Sequence, residues 1–153
     1  MKKVRVAVIG CGVIGPLHIE CCQALEDAKV TWLCDLVTER AEQAARKYGV
    51  AKWTVDAAEV FAAPDVDAVC ICTDHGSHSA LAIAALENGK DVLCEKPLTE
   101  SEGALRKLLA AAKRHGDRVC GGVFQHRFDP IYDELHGIIA AGHLGTMLNA
   151  SAA

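Results

Sequence analysis

Four short strings in this 153-residue chain carry residue types that could do chemistry. The first is Gly10-Cys11-Gly12-Val13-Ile14-Gly15, a G-x-G-x-x-G string that follows the apolar run Val4 to Ile9 and opens a helical stretch. In that setting the string is a dinucleotide-binding turn. Gly10 permits the tight turn, Gly12 lets the backbone approach a pyrophosphate, and Gly15 lets the helix pack closely on the strand. The helix start, with Val13 and Ile14 in it, offers unpaired N–H groups and a positive dipole end to phosphates. Asp35 lies twenty residues beyond Gly15, at the end of the second apolar run. A carboxylate there accepts hydrogen bonds from both adenosine ribose hydroxyls and repels a 2′-phosphate, so NAD is favoured over NADP. Arg40 stands near enough to keep NADP as the minority alternative.

The other three strings are Thr73-Asp74-His75-Gly76-Ser77-His78, Cys94-Glu95-Lys96-Pro97-Leu98 and Phe124-Gln125-His126-Arg127-Phe128-Asp129-Pro130. Each follows a predicted strand, at the carboxyl end where open α/β sheets bind ligands.

The elements that must position these strings alternate along the chain. Strands are predicted over 4–9, 30–34, 51–54, 66–72, 91–94 and 118–124, and helices over 14–26, 38–48, 79–88, 99–115 and 129–140. Thr38 is the expected N-cap of the second helix, with Gly49 its stop. Thr99 and Glu102 match a capping box for the fourth. The run Ala68-Val69-Cys70-Ile71-Cys72 is continuously apolar, as a strand covered on both faces must be. The alternation predicts an α/β fold, a doubly wound parallel sheet in three αβα layers. Thr146-Met147-Leu148-Asn149-Ala150 reads like a further strand, so the fold is expected to be truncated at the start of a second α/β domain. Residues 1–125 are expected to form the dinucleotide-binding domain, and residues 126–153 to begin an incomplete C-terminal domain.

Composition excludes several classes. The formal charge is −4, and a pI near 5.9 leaves no broad basic surface, so nucleic acid is not an expected partner. No apolar run reaches membrane-spanning length, and the start carries no cleavage signal, so a cytoplasmic protein without a membrane partner is expected. The eight cysteines lack paired ligand spacing and read as buried free thiols. A zinc reading of Cys70, Cys72, His75 and His78 is disfavoured because both cysteines lie on a buried strand, so no metal is expected.

Taken together, the glycine string and the three later strings resemble the Gfo/Idh/MocA oxidoreductase family over Val4 to about Gly145. The Glu-Lys-Pro string after Cys94 is the most specific part. The resemblance implies a Rossmann domain followed by a second α/β domain, and hydride transfer between NAD(P) and a hydroxyl or carbonyl of a sugar, polyol or related molecule. It makes Lys96 the active-site lysine, its ammonium bonding the reacting oxygen. It places Glu95 at the nicotinamide ribose, and Pro97 fixes the backbone that aims both. Thr73 and His78 match a family string, Thr-Pro-Asn-x-x-His, that lies along the cofactor, with Asp74 and His75 departing from it. Gln125 and Arg127 match the segment entering the second domain and join the cofactor-binding set. His18 also matches a residue common in the family, with helix packing its expected role. A full-length protein of this kind is expected to form a homo-oligomer.

The leading reading is thus the cofactor-binding portion of an NAD-dependent dehydrogenase, with little or no turnover alone. The alternative is a non-catalytic NAD(H)-binding module that acts through a protein partner.

Overall fold

In the computed structural model, residues 3–149 and 151 are described. They divide into two compact units between Val123 and Phe124.

The first unit is built on six parallel strands: β1 (Val4–Ile9), β2 (Ala28–Cys34), β3 (Lys52–Thr54), β4 (Ala68–Ile71), β5 (Asp91–Cys94) and β6 (Cys120–Gly122). Their order across the sheet is β3-β2-β1-β4-β5-β6. The order reverses between β1 and β4, which pair in parallel from Val6↔Ala68 to Ile9↔Ile71. Carboxyl ends on either side of such a reversal diverge and leave a crevice.

Alternate residues of each strand face opposite layers. Val6 and Val8 of β1 and Cys70 of β4 pack with Ile19, Ala44 and Ala45. Those three belong to α1 (Gly15–Ala24) and α2 (Thr38–Tyr48). Ala7, Ile9, Val69 and Ile71 pack instead with Val60, Ala82, Leu86 and Leu108. These lie on α3 (Ala57–Ala62), α4 (His78–Glu87) and α5 (Glu102–Arg114). The result is the three-layer doubly wound sheet expected from the alternation.

Three local expectations are corrected. The N-cap of α2 is Val37, without a side-chain bond. Val37 N–H donates to Asp35 Oδ1 at 2.8 Å, which fixes the residue before the helix, and Thr38 is the first residue of the helix and not its cap. The helix α5 starts later than Thr99. Ser101 is its N-cap, accepting from Ala104 N–H at 3.2 Å, while the Thr99 hydroxyl donates to the Ser101 carbonyl. The helix α3 was not foreseen. Asp56 caps it, accepting from Ala58 N–H at 2.8 Å, and the Asp-x-x-Glu spacing to Glu59 was its available signal.

The second unit, described by itself, holds a 3₁₀ turn (Gln125–Phe128) and α6 (Pro130–Ala140), capped by Asp129. None of its described residues is buried. The expected strand at 146–150 is absent over 146–149, and Ala150 lies outside the described residues. An extended segment becomes a strand only when its N–H and C=O groups find a neighbour, and none pairs with it among the described residues.

Candidate cofactor site

The glycine string lies where β1 turns into α1. Gly10 has φ +94°, and a Cβ there would lie 2.5 Å from the Cys72 carbonyl oxygen at the end of β4. Both facts demand glycine. A Cβ on Gly15 would lie 2.0 Å from the Gly10 carbonyl oxygen, so the first turn of α1 sits directly on the turn that precedes it. A Cβ on Gly12 would meet nothing within 4 Å. The middle glycine therefore faces open space, as a position reserved for a close ligand should. Pro16 occupies the start of α1, where a missing N–H is harmless.

Asp35, 8% exposed, directly follows β2 beside this turn. Its Oδ2 accepts the Cys11 N–H at 2.8 Å, and its Oδ1 accepts the Val37 N–H at 2.8 Å. The carboxylate thus ties the glycine turn to the start of α2. Each oxygen retains acceptor capacity for a ligand hydroxyl.

A groove of about 580 Å³ opens here. Its walls include Gly10, Gly12, Val13, Ile14, Asp35 and Thr73, six of the residues predicted from sequence. Leu36, Val37, Arg40, Asp74, Ser77 and Leu81 complete much of the lining. Leu36, 88% exposed, is an apolar side chain directly after the acidic residue, and its position next to Asp35 was the signal that could have found it. The Asp74 carboxylate caps the 3₁₀ turn His75–Ser77, accepting the Ser77 N–H at 3.2 Å and the Ser77 hydroxyl at 2.9 Å. Those bonds hold the Asp74 carboxyl below the usual carboxylate range. The groove fits a dinucleotide: a bare backbone at Gly12, a helix N-terminus beside it, an acidic acceptor at Asp35 and an apolar wall at Leu36 and Leu81.

The lysine string lies after β5. Lys96 is exposed, and its peptide bond to Pro97 is cis. Its ammonium makes no ion pair among the described residues. Glu95 is buried, and its Oε2 accepts the Lys96 N–H at 3.1 Å. His18 Nε2 lies 2.9 Å from Glu95 Oε1, a contact between residues 77 apart that no spacing rule foretells. His78 is fully buried, with Nδ1 2.7 Å from the Pro97 carbonyl oxygen and Nε2 3.1 Å from that of Thr73. Both ring nitrogens therefore face backbone carbonyls within the unit. Gln125 and Arg127 lie in the second unit's 3₁₀ turn, both exposed.

All eight cysteines are free thiols, but the expectation of burial holds for Cys11, Cys34, Cys70, Cys72 and Cys94 only: Cys22 and Cys120 are half-buried, and Cys21, on the outer side of α1, is exposed. Burial pushes Cys11 up to about 11, with the Asp35 charge adding to it, and pushes Cys34 and Cys94 up to about 12. Such thiols pack as small apolar groups and are poor nucleophiles at neutral pH. Among the described residues no group of three or more His, Cys, Asp or Glu side chains is placed to hold a metal ion. Nor is any helix there long and apolar enough to cross a membrane.

Comparison with known proteins agrees with this geometry. The chain is 38% identical over 144 residues to scyllo-inositol 2-dehydrogenase (NAD(+)) of Bacillus subtilis (strain 168), covering 94% of this chain and 42% of that one. It is also 38% identical over 149 residues to inositol 2-dehydrogenase of Mycolicibacterium smegmatis, covering 97% and 43%. Among solved structures, scyllo-inositol dehydrogenase from Lactobacillus casei with bound cofactor NAD(H) and scyllo-inositol superposes with a TM-score of 0.89. The two are 25% identical over 94% of this chain and 43% of that one. The chain thus spans less than half the length of these relatives. The family model for Gfo/Idh/MocA, the oxidoreductase family with an NAD-binding Rossmann fold, matches residues 4–123. This chain belongs to that family.

Proposed function

We propose that the chain is the cofactor-binding portion of an NAD-dependent dehydrogenase that moves hydride between the nicotinamide and a hydroxyl or carbonyl of a polyol or sugar. The observation that carries this reading is the pairing of an open Gly12 with the buried Asp35 carboxylate across one groove. The inositol dehydrogenases among its relatives support a cyclic polyol as the substrate class.

In this reading Gly10, Gly12, Val13, Ile14 and Gly15 form the phosphate-facing turn, with the N-terminus of α1 supplying positive potential. Asp35 accepts the adenosine ribose hydroxyls, and Thr73 lines the dinucleotide's path. Bound NAD supplies the hydride acceptor. Lys96 would hydrogen-bond the reacting oxygen through Nζ, stabilise its developing negative charge and relay the hydroxyl proton to the solvent that reaches this exposed side chain. Glu95 and Pro97 shape the backbone around it. Gln125 and Arg127 belong to the cofactor-binding set at the start of a second domain, beginning near residue 126. The resemblance supports a homo-oligomeric, cytoplasmic enzyme.

Calorimetric titration of the chain with NADH and NADPH tests the reading. Tighter binding of NADH is expected, and Asp35→Ala should abolish the preference. Tighter binding of NADPH would overturn the role given to Asp35 and point to Arg40 as a phosphate partner.

A further inference from the structure

Two histidines reach the lysine string from different elements. His18, in the second turn of α1, meets the Glu95 side chain, and Glu95 in turn accepts the backbone N–H of Lys96. His78, the first residue of α4, meets the carbonyl of Pro97. The residue before Lys96 and the residue after it are each held by an imidazole, while Lys96 itself stays exposed.

These contacts are mostly shielded from water. The side chains of His18 and Glu95 are 12% and 10% exposed, and His78 is 0% exposed. Burying polar groups costs free energy unless every one is hydrogen-bonded. Every buried side-chain N or O among the described residues has a polar neighbour at hydrogen-bond distance, and the N–H of a neutral His78, carried on Nδ1, is donated to the Pro97 carbonyl. Apolar side chains would fill the same volumes without that requirement. What imidazoles add is direction, because each fixes a particular oxygen at hydrogen-bond distance.

We infer that His18 and His78 are positioning residues that clamp the backbone on both sides of Lys96. His18 acts through the Glu95 carboxylate and His78 through the Pro97 carbonyl. The clamp also joins the lysine string to the cofactor groove. His18 rides on the helix whose first turn packs on Gly10, and the second nitrogen of His78 lies 3.1 Å from the carbonyl oxygen of Thr73, which lines the groove. The importance of the clamp rests on the reading of Lys96 as the active-site lysine; its existence does not.

The experiment is NMR on the whole chain and on His18→Ala, His18→Gln, His78→Ala and His78→Gln. Hydrogen exchange at the Lys96 amide and the carbonyl carbon shift of Pro97 report the clamp, with the Val8 and Val69 amides as controls for the fold. In His18→Ala the Lys96 amide should exchange about tenfold faster, as expected for the loss of one hydrogen bond's protection. In His18→Gln, which keeps a side-chain donor, much of the protection should return. In His78→Ala the Pro97 carbonyl carbon should move upfield, again with rescue by Gln, while the Val8 and Val69 amides stay protected. An unmoved Lys96 amide and Pro97 carbon in folded alanine variants would overturn the inference. Should the alanine variants lose the control amides as well, the glutamine variants decide: a folded glutamine variant without protection at Lys96 would equally overturn it. NADH titration of the same samples keeps the two ideas apart. A responding Lys96 amide in a chain that binds no NADH would sustain the clamp and remove the dehydrogenase reading.

Discussion

The glycine turn and the lysine string follow β1 and β5, the two strands that flank β4 in one sheet, yet they are held in different ways. At the turn, shape comes from what side chains leave out: Gly10 and Gly15 approach other backbone atoms so closely that no Cβ fits. At the lysine string, shape comes from what side chains supply: His18 reaches Glu95 across 77 residues and His78 reaches Pro97 across 19, while Glu95 accepts the adjacent Lys96 N–H. A backbone-made site is local and announces itself as a pattern. A side-chain-made site is assembled by the fold and leaves no spacing to read. The difference also predicts where each site is fragile.

The largest effect should come from adding one carbon to the backbone-made site. Gly15→Ala places a Cβ 2.0 Å from the Gly10 carbonyl oxygen, and the atom it meets is backbone, which cannot swing aside. Overpacking typically costs about 1–3 kcal/mol, and with rigid backbone as the neighbour the upper end is expected, so a denaturant titration should show a large fall in stability, accompanied by lost NADH binding. A stable Gly15→Ala chain that binds NADH normally would break the contrast between the two sites.

Gly12→Ala sharpens it. The added methyl meets no protein atom within 4 Å, so stability should change by no more than about 0.5 kcal/mol. The NADH affinity should nevertheless fall by about tenfold or more, a loss of about 1.4 kcal/mol, because the methyl occupies space a pyrophosphate needs. Calorimetry and thermal melting on the same sample separate the two. Equal loss of both would mean that Gly12 serves the fold and not a ligand.

The same contrast explains what the sequence revealed. The six strands and five of the helices follow from runs of apolar residues bounded by glycines and caps, and β1 and β5 match their predicted bounds residue for residue. The groove residues around Gly10 and Asp35 were legible for the same reason, since a turn and an acid at the next strand end are short-range facts. The helix α3 escaped because its six residues are too few for a periodic pattern, and its start depends on one Asp56 contact. His18 was expected to pack, and the structure instead gives it a buried carboxylate partner 77 residues away. His78, expected along the cofactor, turns both nitrogens toward carbonyls of its own unit. Residues 146–149 have the composition of a strand but pair with no neighbour among the described residues.

The smallest effect concerns the cap that follows the lysine string, which the structure places at Ser101 and not at the expected Thr99. Both Thr99 and Ser101 are hydroxyl residues just ahead of α5. Ser101 accepts an otherwise unpaired helix N–H, from Ala104, whereas Thr99 only donates to a loop carbonyl at an exposed position. Loss of an N-cap acceptor costs about 1 kcal/mol, and loss of an exposed side-chain bond costs a few tenths, within the roughly 0.5 kcal/mol range of ordinary surface changes. Ser101→Ala should therefore destabilise the chain measurably in a denaturant titration, and Thr99→Ala should barely register. The reverse order would restore the capping box read from Thr99 and Glu102. It would also mean that this end of the lysine string is set by local spacing after all, and the distinction between the two sites would narrow to the histidine contacts alone.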